Sequence, residues 1–131
     1  MRYLVCLIGG ALFGALMTLT AANILSQRNA WPRALMTVMQ HELGQARDTV
    51  RDGRCAAPDT ASAAAHLHLM AADIEPALLA PGAHDRVFSQ YARDLRDAIA
   101  AFEATGNDCA VRRQALTKVA DACENCHRDY K

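Results

Sequence analysis

The sequence predicts an all-α protein, an antiparallel up-down-up-down four-helix bundle preceded by an N-terminal transmembrane or signal helix. Three observations predict it. Alanine is abundant while aromatic residues make up only 5% of the 131 residues, a composition that favours helix over sheet. Beyond residue 30 the apolar residues recur at alternating steps of three and four, the period of a helix with one buried face. The segments carrying that period are joined by short stretches of Gly, Pro, Asn and Asp, which makes sequential helices antiparallel neighbours.

The first element is the hydrophobic segment 1–28. Met1-Arg2 gives a positive start, and Tyr3 to Leu25 carries no charge over 23 residues. That length can cross a hydrocarbon core of roughly 30 Å. A cleaved signal is usually shorter and ends in a small-residue site, for which Thr20-Ala21-Ala22 is a weak match. An uncleaved anchor is therefore preferred to a cleaved signal. Arg2 on one side and Arg28 and Arg33 on the other leave the orientation open on charge alone. Gly10-Ala11-Leu12-Phe13-Gly14 fits the small-xxx-small pattern of paired membrane helices, although glycine is common in such segments without pairing.

Four stripes follow, in a domain spanning 31–131. Met36, Met39, Leu43, Ala46 and Val50 form the first, and Ala64, Leu67, Ala71, Ile74 and Leu78 the second. Phe88, Tyr91, Leu95, Ala98 and Phe102 form the third, and Leu116, Val119, Cys123, Cys126 and Tyr130 the fourth. Pro32 suits a first helical turn, where its missing N–H costs nothing. Gly53 can take the left-handed conformation that ends a helix. Asp59 after Pro58 is the expected N-cap of the second helix. Pro76 should kink or end that helix, Pro81-Gly82 marks a turn, and Gly106-Asn107-Asp108 should close the third helix and cap the fourth.

Lysine plus arginine and aspartate plus glutamate balance at 14 each, with no long block of either sign, so nothing suggests nucleic-acid binding. No paired carboxylates, nucleophile triad or phosphate loop suggest an enzyme. Chemistry concentrates instead in Cys123-Glu124-Asn125-Cys126-His127. Two thiols three residues apart on a helix face roughly the same way. They can add to the two vinyl groups of one porphyrin while the adjacent imidazole reaches the iron, which is why C-x-x-C-H reads as a haem c attachment site. Structural zinc would want a second pair of ligands with its own close spacing, which Cys55 and Cys109 do not supply. A redox dithiol usually opens a helix in a βαβ setting, whereas this run ends one in an all-helical chain. Covalent haem attachment takes place outside the bacterial cytoplasm, so the haem domain is expected in the periplasm, anchored to the inner membrane.

A helical bundle with C-x-x-C-H beside its C-terminus resembles the class II c-type cytochromes, the family of cytochrome c-prime and the low-spin cytochromes c-556. The resemblance covers about residues 31–131. It rests on the run Arg33-Ala34-Leu35-Met36-Thr37-Val38-Met39 and on the ending Cys126-His127-Arg128-Asp129-Tyr130-Lys131, where an aromatic and a basic residue follow the histidine. It implies one covalent haem on Cys123 and Cys126, His127 as proximal iron ligand, and a distal face supplied by the first bundle helix. Met36 best matches the distal ligand of the six-coordinate branch. Met39 is the second choice, and no sixth protein ligand is the third. A His/Met-ligated low-spin haem suits electron transfer with redox partner proteins of the periplasm or inner membrane. A vacant distal side would suit small gases such as nitric oxide or carbon monoxide. Members of the family often dimerise, but the chain presents no clear self-pairing surface.

Bundle geometry puts Cys55 and Cys109 at the end away from the motif. They can meet there as a disulfide, closing a loop of about 55 residues for roughly 3–4 kcal/mol, or stay free. Cys6 reads as a small apolar residue of the membrane helix. Arg33, one turn before Met36, is a candidate haem-propionate partner and equally a surface charge. His41 is a distant alternative iron ligand. His66 and His68, two apart, splay rather than converge, and Asp94, Arg96 and Asp97 read as a solvated face.

Overall fold

The computed structural model describes residues 2–28 and 30–130, with the backbone alone at residues 2, 4–6 and 25–28. Among the described residues it is all-helical, with no strand: α1 (Arg2–Arg28), α2 (Ala30–Arg51), α3 (Ala57–Leu78), α4 (Arg86–Glu103) and α5 (Cys109–Asp129). The chain divides into two compact units, Met1–Arg33 and Ala34–Lys131.

In the first unit, the 18 residues Leu7–Ile24 of α1 have a mean hydropathy of 1.7 and bury none of their surface. By length and composition α1 is long and apolar enough to cross a membrane, as an anchor or a signal sequence would be. The reading of Cys6 as a membrane-helix residue falls on a side chain outside those described.

In the second unit, α2 to α5 contribute to one apolar core. Its centre is Leu35, Met39, Leu43, Ala46 and Val50 of α2, Leu67, Ala71 and Ile74 of α3, Phe88, Leu95, Ile99 and Phe102 of α4, and Leu116 and Val119 of α5. The faces are wider than the single seams drawn from the sequence. Leu35, Ala92 and Ile99 are buried, while Met36, Ala98, Cys123, Cys126 and Tyr130 lie partly buried against the core. Leu78, expected inside, is 42% exposed. A helix that meets two neighbours buries an arc of its surface rather than a line.

The helix ends follow local chemistry. Gly53 adopts φ +79° just past α2, the left-handed value that ends a helix without a Cβ clash. The N-cap of α3 is Ala56, not Asp59. Asp59 is the third helical residue, and its carboxylate accepts from the Ala56 N–H at 3.0 Å. Pro58 explains the shift, because a proline that needs no hydrogen bond belongs inside the first turn. Pro76 does not end α3; it sits in the last turn, which runs on to Leu78. Asp85 and Asp108 cap α4 and α5, each accepting from two backbone N–H groups.

α4 packs against both α3 and α5. Arg96 of α4 pairs with Glu75 of α3 at 3.1 Å and is one-third exposed, so it belongs to a helix interface rather than to a solvated face. His66 and His68 splay as their spacing requires. The first donates to Glu42 of α2 at 3.0 Å, and the second meets Glu103 of α4 at 3.3 Å.

Candidate functional site

Cys55 and Cys109 are joined in a disulfide, with Cα atoms 5.2 Å apart. The C-x-x-C-H cysteines are not part of it: Cys123 and Cys126 are both free and half-buried. Their helix, α5, starts at Cys109, so one helix carries a bonded cysteine at its first residue and two unbonded ones in its last two turns.

The two thiols open onto a cavity of about 460 Å³, within the range of pockets that hold cofactors. All four helices of the second unit line it. Met36, Met39 and Leu43 come from α2, Leu67 and Ile74 from α3, Tyr91, Ala92 and Leu95 from α4, and Val119, Cys123, Cys126 and His127 from α5. The helical period accounts for this convergence. On α5, positions 119, 123, 126 and 127 fall on one face; on α2, positions 36, 39 and 43 do the same.

Burial pushes the Cys123 thiol above its ordinary value, the neighbouring Cys126 adds to the rise, and the Arg47 guanidinium opposes it. Cys126 is raised too, first by burial and then by Asp129. Both are therefore neutral thiols at pH 7. Among the described residues no three His, Cys, Asp or Glu side chains gather as ligands for a metal ion.

Polar residues mark the rim: Thr37, Gln40, Arg47 and Glu124. Arg47 escaped the sequence reading, although a signal was there. Met36, Gln40, Leu43 and Arg47 step by four, three and four along one helix face. Arg33 is exposed in the first turn of α2 and belongs to the N-terminal unit. His41 is exposed, with its ring Nε2 2.6 Å from the Gln45 amide nitrogen, and is not in the cavity wall.

Where the chain leaves the cavity, an aromatic cluster closes the end of α5. The Tyr130 ring meets Phe88 edge-on at 5.1 Å and Tyr91 at 6.1 Å. Its hydroxyl donates to Asp85 Oδ2 at 2.8 Å, and the Tyr91 hydroxyl donates to Asp129 Oδ2 at 2.5 Å. The Asp85 carboxylate pushes Tyr130 up to about 12. Asp129 likewise raises Tyr91. Asp85 itself lies below the usual carboxylate range, held there first by the Phe88 N–H and then by the Tyr130 hydroxyl.

No family model, curated protein or solved structure matches the chain.

Proposed function

We propose that the protein is a periplasmic mono-haem c-type cytochrome that transfers electrons rather than catalysing a reaction, with residues 31–131 as its haem domain. The observation that carries this reading is that Cys123, Cys126, His127 and Met36 line one apolar cavity of about 460 Å³. The chemistry of the donor set fits haem c. Two unpaired thiols on one helix face could each add S–H across a vinyl group, and an imidazole and a thioether could bind the iron. The bound haem would supply reversible one-electron chemistry at iron.

The chain's own residues do the rest. Cys123 and Cys126 would hold the macrocycle, and His127 and Met36 would be the iron's protein ligands. Leu43, Leu67, Ile74 and Leu95 exclude water, which, with a neutral thioether ligand, favours the less charged reduced state. Arg47 and Gln40 at the rim would offer a cation and an amide to the carboxylates of the occupant.

An up-down-up-down course for α2 to α5 is part of the same proposal. Two sets of contacts support it. The Cys55–Cys109 bond and the Asn107 side chain accepting from the Ala57 N–H at 3.0 Å join the end of α2, the starts of α3 and α5 and the α4–α5 connection. The bonds Tyr130–Asp85 and Ser89–Glu75 join the end of α5, the start of α4 and the end of α3. In the proposed setting α1 stays uncleaved as an inner-membrane anchor, and redox proteins of the periplasm or inner membrane are the partners.

The test is the visible and near-infrared spectrum of the full-length protein made in a host competent for haem attachment. A low-spin ferrous spectrum, with a ferric sulfur-to-iron band lost in Met36→Ala and kept in Met39→Ala, is the expected result. A high-spin spectrum that shifts readily with carbon monoxide would move the function to gas binding. Absence of covalent haem would remove the haem reading altogether.

A further inference from the structure

The last two turns of α5 carry every group by which this chain would hold a cofactor from that side. The end of a helix ordinarily frays, because its last carbonyls lack helical partners. Here two bonds run in opposite senses between α5 and α4. Tyr130 donates to Asp85 at 2.8 Å, and Tyr91 donates to Asp129 at 2.5 Å. Between them the Tyr130 ring is wedged edge-on against Phe88 and Tyr91.

Asp85 has two oxygens and uses each differently. Its Oδ1 accepts from the Val87 and Phe88 N–H groups and starts α4, while its Oδ2 takes the Tyr130 hydroxyl. One carboxylate therefore fixes the beginning of one helix and the end of another. Tyr91 is a wall of the cavity as well as the partner of Asp129. The crossed bonds hold the chain just past His127, which stands two residues before Asp129 and three before Tyr130.

We infer that the crossed Tyr130–Asp85 and Tyr91–Asp129 pairs form a clasp that fixes the last turn of α5, making Asp85, Tyr91 and Tyr130 positioning residues for the His127 imidazole. This rests on the haem reading above for the role of His127, but the clasp itself does not. Tyr130→Phe keeps the ring and loses the bond. Asp85→Ser keeps a hydroxyl oxygen to cap α4 and leaves no second side-chain atom to pair with Tyr130.

Backbone hydrogen exchange over residues 124–130 of the haem-free full-length protein should accelerate about three- to tenfold in each variant, the size of one modest hydrogen bond. Amides in the middle of α3 should not change, and the double variant should exchange no faster than either single one, since both delete the same bond. In the haem-loaded protein the same variants should shift the ferric electron-paramagnetic-resonance g values set by the axial imidazole. Unchanged exchange at 124–130 would overturn the clasp. Faster exchange with unchanged g values would overturn the positioning role and leave a structural brace. Faster local exchange in a chain that never takes up haem would overturn the functional reading, and with it the positioning role, while the brace stands.

Discussion

The two ends of the helical domain use the same residue type in opposite ways. At one end Cys55 and Cys109 are bonded, and around them the packing is closed. Arg112 is only 2% exposed there. Its guanidinium donates to the Gly106 carbonyl at 2.8 Å, the Thr105 carbonyl at 3.0 Å and the Thr60 hydroxyl, and it lies 5.5 Å from the Phe102 ring centroid. At the other end Cys123 and Cys126 are free beside a cavity of about 460 Å³. A small domain gains little from hydrophobic burial alone. This one closes one end with a disulfide and the hydrogen bonds of a buried arginine and leaves the other with space and two free thiols. The difference puts the covalent constraint at one end and the open space, with the free thiols, at the other.

The largest effect should come from the open end. Replacing Cys123 and Cys126 together by serine should abolish covalent haem completely, because no other described thiol is free. Denaturing gels stained for haem peroxidase activity, or a pyridine haemochrome assay after acid-acetone extraction, would show it. The comparison breaks if covalent haem survives the double substitution.

The closed end should show the opposite pattern. Cys55→Ser with Cys109→Ser opens a loop with a sequence separation of 54, which costs about 4 kcal/mol in the chain-entropy account. At roughly 4–8 °C per kcal/mol for a domain of this size, the melting temperature should fall by tens of degrees while covalent haem remains. Arg112→Met should follow, costing about 2–4 kcal/mol by leaving the Gly106 and Thr105 carbonyls and the Thr60 hydroxyl without their donor. Arg112→Lys should recover little, since an ammonium cannot reproduce the fork of the guanidinium. Urea midpoints of the haem-free protein would measure both. A cost below about 1 kcal/mol for Arg112→Met would mean that water replaces the lost donor and that this end is less closed than its burial implies.

The residues most legible in the sequence were those whose role is set by period or by local backbone chemistry. The helices, the left-handed Gly53 and the Asp108 cap all read out, because a turn or two of chain determines them. The Cys55–Cys109 bond read out because helix lengths and short loops bring those positions together. Arg112 did not, although it stands four before Leu116 on the buried face. Charge is a strong reason to place a residue outside, and only the Thr105 and Gly106 carbonyls of the preceding loop and Thr60, 52 residues away, reverse it. Arg96 failed for the same reason, since Glu75 is 21 residues away. In the candidate site, Cys123, Cys126, His127 and Met36 were legible as a face and a motif. Arg47 and the Tyr91–Asp129 contact were not, because each depends on which helices become neighbours.

The smallest expected effect is one of pH, and it too should separate the two ends. Two carboxylates near the start of α4 lie below their ordinary values. Asp85 falls below 3.8 because the Phe88 N–H, the Tyr130 hydroxyl and the Val87 N–H all bind its charged form. Glu75 falls below 4.5, first through the Ser89 hydroxyl and then through Arg96 and Arg93, against the opposing effect of burial. A carboxylate whose folded value is depressed contributes stability that is fully present above its unfolded value and is lost as pH falls through the folded one. Acidification below about 4 should therefore loosen the α3–α4 turn and the end of α5 first. The disulfide end should stay ordered longer, because it is held by a covalent bond and by the hydrogen bonds of the buried Arg112. Both carboxylates are solvent-accessible, so the change should be modest and local rather than a global unfolding. Two-dimensional NMR of the haem-free protein between pH 5 and 3 should show the Phe88 and Tyr130 signals moving before those of Thr60 and Phe102. Asp85→Asn should remove the Tyr130 part of that titration and leave the Ser89 part. Simultaneous movement of both sets would mean that the domain unfolds as one unit and that the two ends are not energetically distinct.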